Sequence, residues 1–328
     1  MKPARYRKIH ALGLALMFAA GSAFAQSAAK DYPRKPIRFL VPFVAGVSDI
    51  YARLIGQKLT ESWGQPVIID NRPGAGGMIG AELAAKAPPD GYTLLIGIDG
   101  TQTIAPSLYR DLPYDPVKDF APITQIYLAP FILVVLPSLP PNSVRELIEY
   151  AKARPGQLNY GSPATGNAGH LAGELFQSMT GTRMVHVPYK GGAMALTGLL
   201  GSEVSMVFSN AALALPQVEA KRLKALGVST LQRVPALPDV PTIAEAGVPG
   251  YEGATWSGVF VRADTPREIV GKLTTEILRI LRTPEVRTST IKQGLIPVVS
   301  TPEQFAAYMK AEAARYAKVI KDAGIRIE

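Results

Sequence analysis

The feature that most constrains this chain is a repeating order of apolar segment, glycine-rich turn and amphipathic segment. Four such turns stand out: Phe43-Val44-Ala45-Gly46-Val47-Ser48-Asp49, Asn71-Arg72-Pro73-Gly74-Ala75-Gly76-Gly77, Gly161-Ser162-Pro163-Ala164-Thr165-Gly166-Asn167-Ala168-Gly169-His170 and Pro188-Tyr189-Lys190-Gly191-Gly192. Each stands where a strand is expected to hand over to a helix. A helix N-terminus carries unpaired N–H groups and a partial positive charge, so these turns are natural seats for anions. Strand, turn and helix in steady alternation imply a mostly parallel α/β architecture.

Residues 37–42 read as a buried strand, and 48–63 as a helix with apolar residues at Ile50, Leu54, Ile55 and Leu59. Residues 67–69 and 93–97 are further predicted strands, separated by a helix around 79–87 that Pro88-Pro89-Asp90-Gly91 ends. Residues 121–136 form a long apolar stretch broken at Pro130, suited to carrying the chain from one lobe to another. The pattern then restarts, running from a helix at 144–153 to a strand at 223–228. Residues 235–249 are proline-rich and mark a return crossing; 255–261 would rejoin the first lobe. Three helices follow, each with proline in its first turn, at Pro266, Pro284 and Pro302. The expected organisation is two lobes, 26–126 with 249–328 and 127–248, hinged at the crossings with a ligand cleft between them.

Residues 1–25 read as a cleaved signal peptide, which places the mature protein in the periplasm. Lys2, Arg5, Arg7 and Lys8 form a basic start, 11–20 an apolar stretch, and Ala23-Phe24-Ala25 a cleavage pattern before Gln26. That stretch is too short for a membrane span, and no later segment is long and apolar enough for one. The chain has no cysteine, which excludes a disulfide scaffold and thiol chemistry. The net charge is +9; removing the leader's four cations leaves 31 basic against 26 acidic residues, a net +5. These charges are scattered, which argues against nucleic acid and mildly favours anionic ligands.

Catalytic signatures are absent from the sequence. It has no G-x-S-x-G, H-E-x-x-H, Walker A or complete G-x-G-x-x-G. Beyond the leader only His170 and His186 remain, so no metal and no cofactor is expected. A grouping of Asp49, His170 and Ser162 is the one hydrolase-like arrangement left open. For binding, Gly46 would let the chain approach a ligand closely, and Ser48 or Asp49 would cap the following helix. Asp49 has two readings, as that cap alone or as part of an anion seat formed by the N–H groups of Val47, Ser48 and Asp49. Ser162, Thr165 and Asn167 offer polar groups from the second lobe. His170 is either structural or ligand-facing, and Lys190 either solvated or within reach of an anion. Thr101, after Asp99-Gly100, is a secondary candidate. Neutral donors of this kind hold an anion without burying a counter-charge.

These residues resemble the Bug family of extracytoplasmic solute receptors, the binding components of tripartite tricarboxylate transporters. The resemblance runs in one order along the mature chain: Val41-Pro42-Phe43, Asp49-Ile50-Tyr51-Ala52-Arg53, Asn71 to Gly77, Pro89-Asp90-Gly91-Tyr92-Thr93-Leu94, Leu112-Pro113-Tyr114-Asp115-Pro116, His170-Leu171-Ala172-Gly173-Glu174, Val185-His186-Val187-Pro188-Tyr189-Lys190-Gly191 and Leu237-Pro238-Asp239-Val240-Pro241-Thr242. It implies a two-lobed Venus-flytrap receptor, not an enzyme, that closes on a small carboxylate and delivers it to a membrane permease. The alternative it leaves is the same fold presenting the solute to a two-component sensor. The ligands of the family, di- and tricarboxylates or aromatic acids, would be held by the turns at 43–49 and 162–167, with Phe43 against the ligand body; a monomer is expected. The chain departs from the family at the first turn, where Val44 and Val47 replace the usual proline or alanine and glycine. A β-branched residue tolerates positive φ poorly, so the turn either keeps negative φ or changes its path. The valines also add apolar surface, which favours a ligand with an apolar or aromatic body.

Overall fold

The computed structural model describes residues 31–44 and 46–325. The expected signal peptide lies outside the described residues, as does Ala45 of the first turn. The first sheet contains β1 (Ile37–Val41), β2 (Val67–Asn71), β3 (Thr93–Ile98), β4 (Phe120–Ala129), β10 (Thr255–Arg262) and β11 (Ile296–Pro297), in the order β11-β4-β10-β3-β1-β2. The second contains β5 (Phe131–Val135), β6 (Asn159–Ser162), β7 (Val185–Pro188), β8 (Met206–Asn210) and β9 (Lys224–Val228), ordered β7-β6-β8-β5-β9. Helices α1 (Val47–Trp63), α2 (Met78–Ala85), α8 (Arg267–Leu281) and α9 (Pro284–Lys292) accompany the first sheet, and the short α3 (Ala105–Leu108) places Leu108 in the core of the second. Helices α4 (Val144–Lys152), α5 (Ala168–Thr180), α6 (Gly192–Leu200) and α7 (Ala211–Glu219) accompany the second, and α10 (Pro302–Asp322) closes the chain.

Strand direction follows from where the chain crosses. In the second sheet only β5 runs against the others, and in the first β10 and the two-residue β11 run against β1 to β4. Both β5 and β10 begin directly after a crossing. The chain leaves β4 at Ala129, turns over Pro130 and enters β5 at Phe131, which pairs with Asn210 at the end of β8. On its return it enters β10 at Thr255, opposite Ala129. A strand entered from the end where its neighbours finish must oppose them. The carboxyl ends of both sheets therefore face one another across the crossings. Ser229, at the start of the return segment, ties the two passages together: its hydroxyl accepts from the Phe131 N–H at 2.9 Å, and its N–H donates to the Phe131 carbonyl.

Alternation decides what each strand buries. Ile37, Phe39 and Val41 of β1 pack with Tyr51, Ile55 and Leu59 of α1 and Leu273 and Ile277 of α8, whereas Leu40 packs on the other face with α2. In β5, Leu133 and Val135 join Tyr160, Phe176 and Phe208, and Ile132 and Val134 join Ala195 and Leu199 of α6. Helix α10 has 21 residues, about 31 Å at 1.5 Å per residue. Its start packs on the first sheet through Phe305, and its end joins the core of the second through Tyr316, Val319 and Ile320.

Phe305 is fully buried, with ring centroids 5.1 Å from Trp256 and 5.3 Å from Phe260. Phe305→Ala is expected to lower stability by about 3–5 kcal/mol. Urea unfolding of the two proteins side by side measures it; a loss under about 1 kcal/mol would show that this contact does not anchor α10.

Candidate functional site

The facing sheet ends leave a cavity of about 380 Å³ between them. Phe43, Val44, Gly46, Val47 and Ser48 line it from the turn after β1, and Asn210, Ala211 and Ala212 from the junction of β8 and α7. Ile98, Tyr127, Pro130, Thr255 and Trp256 form its back wall, where the chain crosses, and Gln293 and Leu295 close one side. No lysine, arginine, histidine or carboxylate is among these residues. Two helix N-termini flank the cavity, those of α1 and α7. Gly46 and Asn210 stand at their N-caps, and neither end has a side-chain cap. First-turn N–H groups left in this state, with the dipole behind them, attract an anion.

The first turn is held from behind. The Asn71 side-chain amide donates to the Phe43 carbonyl at 3.1 Å and to Asp49 Oδ1 at 2.9 Å. Arg53 Nε donates to Asp49 Oδ2 at 2.8 Å. The Arg53 hydrogen bond holds the Asp49 carboxyl below the usual carboxylate range; burial opposes this, and Asn71 adds to the lowering. Asp49 is thus a buried anchor, its side chain 7% exposed, and it does not line the cavity. Gly77 supports Phe43 from the opposite side. At φ 98° it lacks a Cβ that would stand 2.9 Å from the Phe43 ring and 3.0 Å from Thr101 Cγ2. Thr101 lies under this contact, its hydroxyl donating to the Ile98 carbonyl at 3.1 Å.

Gly46 has φ 177°, an extended conformation open to any residue, and Val47 opens α1 without positive φ. Of the two readings of the valine-bearing turn, the structure shows the one without strain. Val44 lines the cavity and is 69% exposed.

The second-sheet candidates occupy a neighbouring turn and do not line this cavity. The Ser162 hydroxyl donates to the Ala164 carbonyl at 3.0 Å and lies 2.7 Å from His186 Nε2. Asn167 caps α5 by accepting from the His170 N–H at 2.9 Å. His170 Nδ1 accepts from the Gly166 N–H at 2.9 Å, and its Nε2 is 3.6 Å from Glu174 Oε1. Its ring stacks on His186 with centroids 3.7 Å apart. Thr165 and Lys190 are exposed. The hydrolase-like grouping is not assembled: Asp49 is bound by Arg53 and Asn71 beside the first sheet, and the imidazole at Ser162 belongs to His186. Asn210, Thr255, Tyr127 and Gln293 went unnamed in the sequence reading. For Asn210 the signal was present, a strand running into a helix at Ser209-Asn210, but without the glycines that marked the other turns.

Two predictions follow from these contacts. Asn71→Ala leaves the Phe43 carbonyl and Asp49 Oδ1 without their shared donor, and should cost about 1–3 kcal/mol in a urea titration. Unchanged stability would show that water replaces the amide. Burial and the nearby His170 push His186 down to about 4, from an ordinary value near 6.5. The unfolded chain then binds the extra proton, so this contribution is complete above about pH 6.5 and is lost as pH falls towards 4. His186→Gln should flatten the stability profile between those limits relative to the parent; an unchanged slope would assign the loss to other groups.

Residues 51–325 match the model of the tripartite tricarboxylate transporter family receptor. The chain is 38% identical over 310 residues to a protein encoded in the tcbD-tcbE intergenic region of Pseudomonas sp., covering 94% of this chain and 92% of that one. It is 34% identical over 317 residues to Protein BugT of Bordetella pertussis, covering 96% and 97%. Among solved structures, R. palustris Rpa4515 with adipate superposes with a TM-score of 0.76 at 42% identity, covering 90% of this chain and 100% of that one. MatC from Rhodopseudomonas palustris with bound malate gives 0.72 at 31%, covering 88% and 100%.

Proposed function

The chain belongs to the tripartite tricarboxylate transporter receptor family, and from that premise we propose that it captures a small carboxylate in the cavity between its two sheets and delivers it, from the periplasm, to a membrane permease. One observation carries the reading. Two helix N-termini without side-chain caps flank a cavity whose lining includes no charged side chain. An anion there is held by neutral donors, namely the first-turn N–H groups, Ser48, Asn210 and Thr255, and no ion pair must be desolvated. Solved relatives with adipate and with malate supply the ligand class.

The lobes of this receptor divide at the crossings, Pro130 and the return segment before Thr255, so residues 127–129, expected from sequence in the second lobe, go with β4 in the first. Closure turns about Pro130, the return segment before Thr255, and α10, which packs on both sheets. The apolar lining from Phe43, Val44, Val47 and Leu295 selects an acid with an apolar body, straight-chain or aromatic, over a compact hydroxy acid. Ser162, Thr165, Asn167, His170 and Lys190 act in this reading only through the neighbouring turn, by shaping the lobe that closes.

Calorimetric titration of the mature protein, stripped of co-purified solute, against adipate, malate, citrate, benzoate and terephthalate tests this reading. Saturable one-to-one binding of one class is expected, with adipate or terephthalate above citrate. Val47→Gly should weaken that binding about tenfold, the order expected for losing a partly buried valine contact. No binding across the panel overturns the carboxylate reading; unchanged affinity in Val47→Gly overturns the role given to the valine.

A further inference from the structure

The back wall of the cavity rests on two buried acids. Thr255 and Trp256 both line the cavity. Behind them, Thr255 Oγ1 donates to Asp99 Oδ1 at 2.7 Å, and Trp256 Nε1 donates to Glu312 Oε2. Each carboxyl belongs to a residue 1% exposed. The Thr103 hydroxyl lies 2.8 Å from Glu312 Oε2 and 3.0 Å from the backbone carbonyl of Asp99. Among the described residues, the only cation at the cluster is Arg315, which is 2.8 Å from Glu252 and 3.7 Å from Glu312. Glu252 and Glu312 thus share one guanidinium, and Asp99 has no ion pair with it. Asp99 Oδ2 and both amide atoms of Gln102 are buried and find no partner. The other ionisable side chains that feel Asp99 are Tyr127 of β4 and Tyr308 and Tyr316 of α10, none of them a cation. Burial pushes both carboxyls up, and the charge of Asp99 raises Glu312 further.

We propose that carboxylate capture in this cavity is coupled to the uptake of one proton from solvent by the buried Asp99–Glu312 pair, with the Thr255 hydroxyl linking pair and ligand. The coupling rests on the carboxylate reading of the cavity given above. While Asp99 is ionised, the Thr255 hydrogen is committed to it and only oxygen lone pairs face the ligand. Once Asp99 carries a proton, Asp99 donates to Thr255 and frees the hydroxyl hydrogen to donate to the incoming carboxylate. The proton comes from bulk water and returns there on release, so one O–H bond is formed on binding and broken on dissociation. Two hydrogen bonds in series would put the ligand's charge about 6 Å from Asp99, close enough in a desolvated wall to disfavour two like charges strongly.

The test is calorimetry of the mature protein with adipate and, in parallel, terephthalate, between pH 6.5 and 8.5, where both probes are fully ionised. Each titration is run in phosphate and in Tris, whose ionisation heats differ. Apparent enthalpies should differ between buffers by the heat of about one proton per ligand, and Kd should rise about tenfold per pH unit where the pair titrates. Asp99→Asn offers an amide N–H that can donate to Thr255, as the protonated acid does, and carries no charge. It should bind with buffer-independent heat, a flat pH profile, and a Kd about tenfold lower than the parent at pH 8. If that variant does not fold, Glu312→Gln carries the test, with the pH dependence displaced to lower pH. Equal heats in both buffers and a flat profile in the parent overturn the coupling and leave the carboxylate reading intact. An Asp99→Asn variant with the parent's pH dependence overturns the assignment to this pair. No heat with either acid at any pH overturns both readings together.

Discussion

The rest of this structure depends on a constraint of direction at the two crossings. A chain that leaves one sheet where its strands finish, and enters the next without a long connection, must do so at the end where those strands also finish. Pro130 is the whole first connection, so β5 has no freedom to run with its neighbours. The return into β10 obeys the same rule at Thr255. One consequence is that every strand–helix turn pointing off β1 and β8 faces the same gap. A second is that the back of the gap is built from the crossing residues themselves, Pro130, Thr255 and Trp256. The cavity wall and the crossings are therefore one piece of chain, so movement of one sheet relative to the other would change the cavity directly.

The electrostatics of that gap are layered. Its surface holds neutral groups and helix ends, which attract an anion without a desolvation penalty for a paired cation. Beneath one face lies Asp49, fully engaged by Arg53 and Asn71, so it fixes the turn while spending its charge on protein partners. Beneath the other lie Asp99 and Glu312, which are far less compensated. The same residue type thus plays opposite parts on the two sides, one clamped in its ionised form and the other raised by burial towards the neutral one.

Much of this was legible because period and punctuation are local. Leu54, Ile55 and Leu59 mark α1, Pro130 marks a crossing, and prolines mark the starts of the last three helices. The first turn was legible too, because Gly46-Val47-Ser48-Asp49 follows a strand. What local pattern could not carry is which turns share a cavity, since that depends on sheet order. Residues 161–167 and Asn210 both end strands of the second sheet, on β6 and β8, which are neighbours. Glycine drew attention to the first, yet β8 lies beside the crossing strand β5 and so brings Asn210 to the gap. Thr255 and Trp256 were beyond reach for the same reason: a strand interior gives no sign that its first two residues face a ligand.

The valines of the first turn show how a sequence anomaly resolves once φ is known. Valine at a left-handed position would strain the turn, and on that ground its path was open to doubt. Gly46 proves extended and Val47 helical, so neither substitution demands an unusual backbone. The turn therefore keeps its hydrogen bonds to Asn71 while its outward surface becomes more apolar. Phe43 packs closely against Gly77 at the edge of that surface. In the proposed receptor, an apolar rim beside neutral anion donors would discriminate by the body of an acid, since any carboxylate satisfies the donors equally. Affinity for the charged end and selection of the ligand would then be carried by different atoms of the same short turn.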